Sequence, residues 1–463
     1  MNATNGQDRN GNRKKRVLIL GAGFAGLQTA IHLDKILPRD DGVEIILVDQ
    51  NHFHLFTPML HEAASGVIQP GLIIAPVRRV LRNRRPIFVR DRVDAIDLDE
   101  RRVRLCRGEI DYDILVIALG SVTNFYGIDS VRQRALEIKN ADDADEVRCR
   151  VVESFEAATG EADPERRREL MTLAVVGAGC TGVEAVAEFH EFREHLLREQ
   201  FPELDPHEMR TVLVEVQDRV LSTFDEGLAR SAHRRMERMG IEILLNHTVT
   251  GLSERGLEFA SGRPPLPSAV VVWAAGVAAS PLVQDLPLEK DRMGRVVVGS
   301  DLAVPGRPGV YIMGDAAHAR HPETDEVYPP TAQVAYRQAP TVAANIAADL
   351  NGGEHRQFDF TYIGDLVSLG KGSGVANPYG LRLRGLPAWL MWKFYYLLGL
   401  VGWQNRLRVA LNWILALLFP KSSALSYECF QDCDEDEAAA GSGRMVDPVA
   451  GSASERAFRS RRL

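Results

Sequence analysis

Six glycines, spaced Gly21-x-Gly23-x-x-Gly26 and Gly177-x-Gly179-x-x-Gly182, mark two places in this 463-residue chain where backbone could meet phosphate. In such a trio the first glycine permits a tight turn and the second lets the chain approach a pyrophosphate. The third lets the following helix pack close to the preceding strand. The free N–H groups at the helix start then face the phosphates. Each trio is followed by an apolar run ending in an acid, Asp49 after the first and Glu215 after the second. A carboxylate there can accept hydrogen bonds from an adenosine ribose. Asp49 lies 28 residues beyond Gly21, and the polar loop 38–42 accounts for the excess over the usual spacing of roughly 20. The implied chemistry is dinucleotide binding, twice in one chain.

The two sites differ in what surrounds them. The run GVYIMGDAAH (309–318) puts Asp315 at a strand end, where a carboxylate can bind the hydroxyls of a ribityl chain. That makes FAD the ligand expected at the first turn, held tightly. Thr331, after two prolines, is an N-cap candidate, and the positive end of the helix it opens would favour an anionic reduced flavin. At the second turn Glu215 would bind both ribose hydroxyls of NADH and repel the extra phosphate of NADPH. The nearest following base is Arg219. One cofactor that stays and one that exchanges suit a relay in which NADH reduces a flavin and the flavin passes electrons on. Glu184, in the first turn of the second helix, has two readings. It stabilises the helix N-terminus, or it faces nicotinamide and flavin and influences turnover.

The elements that must position these residues alternate strand and helix, which predicts an α/β fold with parallel sheets. Two Rossmann-like dinucleotide-binding domains are expected, followed by amphipathic, membrane-associated C-terminal helices. The boundaries read as 14–122 for the first part of an FAD domain, 123–285 for an NADH domain and 286–354 for the second part of the FAD domain. Residues 355–427 read as a membrane-anchoring region and 428–463 as a solvated, disordered tail. Residues 1–13 look disordered too, with no apolar stretch of signal-peptide type. Five scattered cysteines argue against a disulfide framework and for a reducing compartment. The Arg-rich stretch 78–107 is interleaved with acids and reads as a solvated surface, not a nucleic-acid patch. No carboxylate or cysteine cluster with metal spacing surrounds His52, His54 and His61.

The residues carry a resemblance. The two fingerprints, with ALG (118–120), WAAGV (273–277) and GD (314–315), resemble the FAD/NAD pyridine-nucleotide disulfide oxidoreductase superfamily. Within it, HFHLFTPMLHEAASG (52–66), TGVEAVAE (181–188) and TAQVAYRQA (331–339) look most like type II NADH dehydrogenases, non-pumping NADH:quinone oxidoreductases. Thr57 and Met59 stand where that family more often has Gln and Leu. The resemblance places Glu184 on the family's helix glutamate. It places Gly276 and Ala332 among cofactor-binding positions, and Gln333 and Gln338 near quinone and flavin as neutral amide donors to quinone carbonyls. The plainer reading of both glutamines is helix packing or solvent. A disulfide acceptor is excluded, since residues 21–105 hold no cysteine.

A membrane quinone requires a route to the bilayer. Residues 366–427 contain no acid, seven bases and four of the five tryptophans, in a chain of net charge −8. Leu386–Gly402 is short for a span, and Lys393 at its centre opposes insertion, costing roughly 2.5–3.5 kcal/mol. Gln404, Arg408 and Asn412 recur at helical spacing with Leu407, Leu411, Ile414 and Leu418 facing elsewhere, as suits a helix lying in the headgroup region. Membrane contact is thus expected through residues 386–425, peripheral, on the cytoplasmic side of the cell membrane. The same helix pair could instead form a soluble core or a homodimer interface. A reductase of a ferredoxin-like carrier and a non-catalytic NADH-responsive redox sensor are the alternative functions.

Overall fold

The computed structural model describes residues 14–39 and 42–418; the N-terminal extension and the 428–463 tail lie outside the described residues. The first sheet is five-stranded and wholly parallel, in the order Val310–Ile312, Ile114–Ile117, Lys15–Leu20, Val43–Asp49, Ile87–Arg90. Its central runs VLIL, IILV and ILVI are buried. That is why they read as continuous apolar runs rather than alternating ones. The second sheet repeats the scheme with Glu242–Leu244, Arg210–Val214, Thr172–Val176 and Val270–Trp273, again all parallel.

In each sheet a central strand runs into its glycine turn and then a helix, Phe24–Ile36 in the first and Cys180–Glu199 in the second. The chain passes between the sheets at Ser121–Thr123 and returns at Val277–Ala279, and the two passages pair antiparallel. The long helix Ala332–Asn351 packs on Phe24–Ile36. Its start is set by Thr331, whose side chain accepts a hydrogen bond from Val334 N as an N-cap does.

A small antiparallel sheet, Leu366–Ser368, Gly374–Ala376 and Leu383–Arg384, follows. It carries the helix Leu386–Gly399, and the helix Trp403–Leu418 comes next. Trp392 is fully buried and anchors the first of these helices to the body. No helix among the described residues is long and apolar enough to cross a membrane.

Candidate functional site

The two glycine turns have the same geometry. Gly21 has φ +98° and Gly177 φ +101°, the left-handed region that favours glycine. A Cβ on Gly21 would strike the Ala118 carbonyl, and one on Gly177 would meet the Ala274 carbonyl oxygen at 2.6 Å. A Cβ on Gly26 or Gly182 would strike the carbonyl of its own turn's first glycine. Gly23 and Gly179 are different: nothing lies within 4 Å of a Cβ at either. Each is the N-cap of its helix with no side chain on the cap, so free N–H groups face that open side.

The strand-end acids match as well. Asp49 Oδ2 accepts from Ala22 N at 2.6 Å, and Glu215 Oε2 accepts from Ala178 N at 2.5 Å. Their other oxygens accept from Asn51 N and Gln217 N. Burial raises the Asp49 pKa above the ordinary carboxylate value, against the pull of its two backbone donors. Gly276 has φ +148°, and the Tyr126 hydroxyl, which donates to Ala275 O, lies 2.5 Å from where its Cβ would be.

Asp315 sits in a short 3-10 turn, Gly314–Ala316, just beyond the strand Val310–Ile312. Its Oδ2 accepts from Ser121 Oγ at 2.7 Å, and Lys139 Nζ donates to the same hydroxyl at 3.0 Å. Burial lowers the Lys139 pKa, opposed by the nearby Asp315 charge. The structure separates the two glutamines. Gln338 is fully buried and accepts from Gly314 N at 2.6 Å, so its amide holds the Asp315 turn in place. Gln333 is half-buried beside Ala332, donates to the Tyr395 hydroxyl at 3.2 Å and accepts from Ile363 N. It therefore ties the long helix to the C-terminal region.

Glu184 is buried, and its carboxylate is held by residues of other elements. Oε1 accepts from Trp392 Nε1 at 2.6 Å and Ser368 N at 3.1 Å, and Oε2 lies 3.7 Å from His61 Nδ1. Burial pushes its pKa up to about 7, with His61, Ser368 and Trp392 opposing and Glu62 reinforcing the rise. Trp392 meets His61 and Tyr396 edge-on. Behind His61, the fully buried Glu62 pairs with Lys393 and accepts from Trp413 Nε1 at 2.9 Å. Lys393 Nζ stands 4.3–5.3 Å from the ring centroids of Trp389, Trp392 and Trp413, a cation held by aromatic faces. Glu62, Lys393, Ser368, Trp392 and Tyr395 escape a reading by motif. The available signal was a charge inside an apolar run at both ends of the pair, Glu62 in MLHEAAS and Lys393 in WLMWKFYYL.

The C-terminal helices are turned inside out. Leu386, Leu390, Phe394 and Leu398 form an exposed stripe on the first. Leu407, Leu411, Ile414 and Leu415 are half exposed on the second. Three polar residues of the second helix bond to the body: Gln404 accepts from Arg79, Asn405 donates to Ile74 O, and Asn412 donates to Val67 O. A contiguous apolar face rimmed by polar groups marks an interaction surface.

Paired dinucleotide turns of equal geometry on two parallel sheets define an oxidoreductase of the two-nucleotide class. The sequence profile described as pyridine nucleotide-disulphide oxidoreductase matches residues 15–339, and that of the NDH2 C-terminal domain matches 362–422. The chain is 35% identical over 429 residues to a Mycobacterium tuberculosis type II NADH:quinone oxidoreductase, covering 89% of this chain and 90% of that one. It is 32% identical over 388 residues to the Staphylococcus aureus enzyme, covering 82% and 94%. The solved NDH2 of Plasmodium falciparum in complex with NADH shares the fold, with a TM-score of 0.78, 19% identity and coverage of 89% and 100%. The chain belongs to the type II NADH:quinone oxidoreductase family within the pyridine nucleotide-disulphide oxidoreductases.

Proposed function

We propose that this chain is a membrane-peripheral, non-pumping NADH:quinone oxidoreductase whose tightly held flavin is FAD. The observation that carries the reading is the pair of matched cradles, each closed at its first and third glycines and open at its second. That opening is the space a pyrophosphate would take. Residues 14–122 and 286–354 would hold FAD through Gly21, Gly23, Gly26, Asp49, Asp315 and the Ala332 helix start. Residues 123–285 would hold NADH through Gly177, Gly179, Gly182, Glu215 and Gly276, with Glu215 favouring NADH over NADPH. Bound in the first cradle, FAD supplies the two-electron relay between nicotinamide and quinone.

The overall reaction, NADH + H⁺ + quinone → NAD⁺ + quinol, draws one proton from solvent. Glu184, held near neutrality in its pKa, is the proton donor, and Trp392, Ser368 and His61 fix its carboxylate. Gln333 orients the quinone and braces the helix Leu386–Gly399 through Tyr395. Gln338 is a positioning residue for the Asp315 turn rather than a quinone donor. The outward apolar stripe on residues 386–415 docks on the cytoplasmic face of the cell membrane. A greasy outer face favours a lipid-borne acceptor over a charged carrier protein. A homodimer across part of the same surface is compatible with this docking. The test is purification with a flavin spectrum, followed by NADH oxidation with lipid-soluble quinones. A colourless protein that cannot be reconstituted with FAD would end the proposal.

A further inference from the structure

Among the described residues of 123–285, only two large hydrophobic side chains are exposed, Tyr126 and Val216. Apolar residues scattered singly over a surface need no explanation. These two are not scattered. Val216 directly follows Glu215, just beyond the strand Arg210–Val214. Tyr126 lies on the turn that follows the strand Val270–Trp273, its hydroxyl donating to Ala275 O at 3.0 Å. Both therefore stand where the parallel strands of the second sheet end, which is the edge at which an open parallel sheet binds its ligand.

The backbone holds Tyr126 in a costly conformation. Its φ is +52°, in the left-handed region that a tyrosine rarely adopts, and Gly127 follows at φ +75°. Tyr126 N donates to Asn124 Oδ1 at 2.9 Å. The residues before it are pinned. Phe125 is buried and stacks on Trp273, with ring centroids 6.3 Å apart. Trp273 Nε1 donates to Asn124 O at 2.8 Å, and Asn124 N donates to Gly276 O at 3.1 Å. With Phe125 turned inward, the Tyr126 ring is turned outward and left 61% exposed. A turn alone would be served without strain by glycine or asparagine. Strain kept under an exposed aromatic ring points to a task for the ring.

The strand order shows which half of a dinucleotide the ring meets. Thr172–Val176 runs into the glycine turn, with Arg210–Val214 on one side of it and Val270–Trp273 on the other. The strand order reverses at this point, and a dinucleotide lies across such a crevice. Glu215 takes the adenosine ribose on the Arg210–Val214 side. The other half then lies on the Val270–Trp273 side, where the first glycine of the turn packs on Ala274 and Ala275. From that side Val277–Ala279 returns toward the first sheet.

We propose that Tyr126 is a positioning residue for the nicotinamide half of NADH, its ring the aromatic face against which that half rests. The inference rests on the reading of the second cradle as the NADH site. Oxidised nicotinamide is a cation, and an aromatic face attracts a cation. Tyr126 therefore holds NAD⁺ more firmly than NADH and favours the positive charge that develops as the hydride leaves. The bond from its hydroxyl to Ala275 O seats the ring over Gly276, where any side chain would collide with it.

The experiment titrates the flavin-loaded parent, Tyr126→Phe and Tyr126→Asn with NAD⁺ and with ADP-ribose, which lacks the nicotinamide, by calorimetry. Asparagine sits readily in left-handed backbone, so Tyr126→Asn should melt no lower than the parent. Its NAD⁺ binding should weaken about tenfold while ADP-ribose stays within about twofold of the parent. Tyr126→Phe keeps the ring and should lose no more than about threefold for NAD⁺. In stopped flow, the NADH concentration that half-saturates flavin bleaching should rise less in Tyr126→Asn than the NAD⁺ dissociation constant does. NAD⁺ binding that is unchanged or tighter in Tyr126→Asn would overturn the proposal. So would equal weakening of ADP-ribose, which marks a damaged cradle, or a Tyr126→Phe as weak as Tyr126→Asn. A parent that binds neither NAD⁺ nor ADP-ribose would strike the reading of the second cradle instead.

Discussion

Replacing Trp392 by Phe keeps an aromatic ring against His61 and Tyr396 but removes the Nε1 donor that holds Glu184 Oε1 at 2.6 Å. A hydrogen bond to a charged group is worth about 1.5–3 kcal/mol, and one pKa unit corresponds to about 1.4 kcal/mol. The donor stabilises the ionised form, so its loss favours the protonated one. The Glu184 pKa should rise from about 7 by roughly one to two units. If Glu184 delivers the proton to quinone, the rate falls as Glu184 loses its proton. The alkaline limb of that rate should therefore move up in pH by the same amount in Trp392→Phe. The assay is anaerobic stopped flow: pre-reduced protein is mixed with quinone and flavin recolouring is followed across neutral and alkaline pH. The NADH half-reaction and the melting temperature serve as controls. An unmoved or acid-shifted limb with an intact fold would refute the assignment of Glu184 as donor.

Three further outcomes are expected. Gly23→Val should fold and purify without flavin, and Gly179→Val should keep its yellow colour but lose bleaching by NADH, because both positions are open; absorbance spectra before and after NADH decide this. Leu390→Glu with Phe394→Glu should release the protein from quinone-containing liposomes in a flotation assay, since burying the exposed half of each side chain is worth about 1–2 kcal/mol; the two positions are exposed, so folding should be unaffected. Glu184 binds its proton more tightly in the folded state, about 7 against 4.5 in the ordinary group. Stability should therefore be full below the lower value and decline as pH rises through the upper one, by about 3 kcal/mol. Urea titrations should show that decline in the parent and a flatter curve in Glu184→Gln.

The sequence carried the parts of the site that local rules govern. Gly21 and Gly177 need positive φ, Gly26 and Gly182 have no room for a Cβ, and Thr331 caps its helix. Each of these is a demand of a few neighbouring residues, so spacing alone reveals it. The parallel sheets were legible for the same reason, from apolar runs such as ILVI that ladder with distant strands but need no knowledge of them.

What stayed hidden is long-range. Glu62 and Lys393 lie 331 residues apart, and Glu184 and Trp392 208 apart. Periodicity cannot place such partners. Lys393 was legible as an obstacle to a membrane span, but not as a cation that turns inward among three tryptophans. The row Gln404, Arg408 and Asn412 was readable as one face of a helix. Only the structure shows that Gln404 and Asn412 of this row bond to the protein body, while Arg408 stays exposed and Leu407 and Leu411 lie half outside.

The most direct measurement of the central claim is a sequential-mixing experiment on the purified protein bound to liposomes. NADH is added first without oxygen, then a long-chain quinone in the same membranes, while the flavin band is watched. The account predicts that one equivalent of NADH bleaches the band and that the quinone restores it with one proton taken from the medium. A band that NADH does not bleach, or that membrane quinone does not restore, would contradict it.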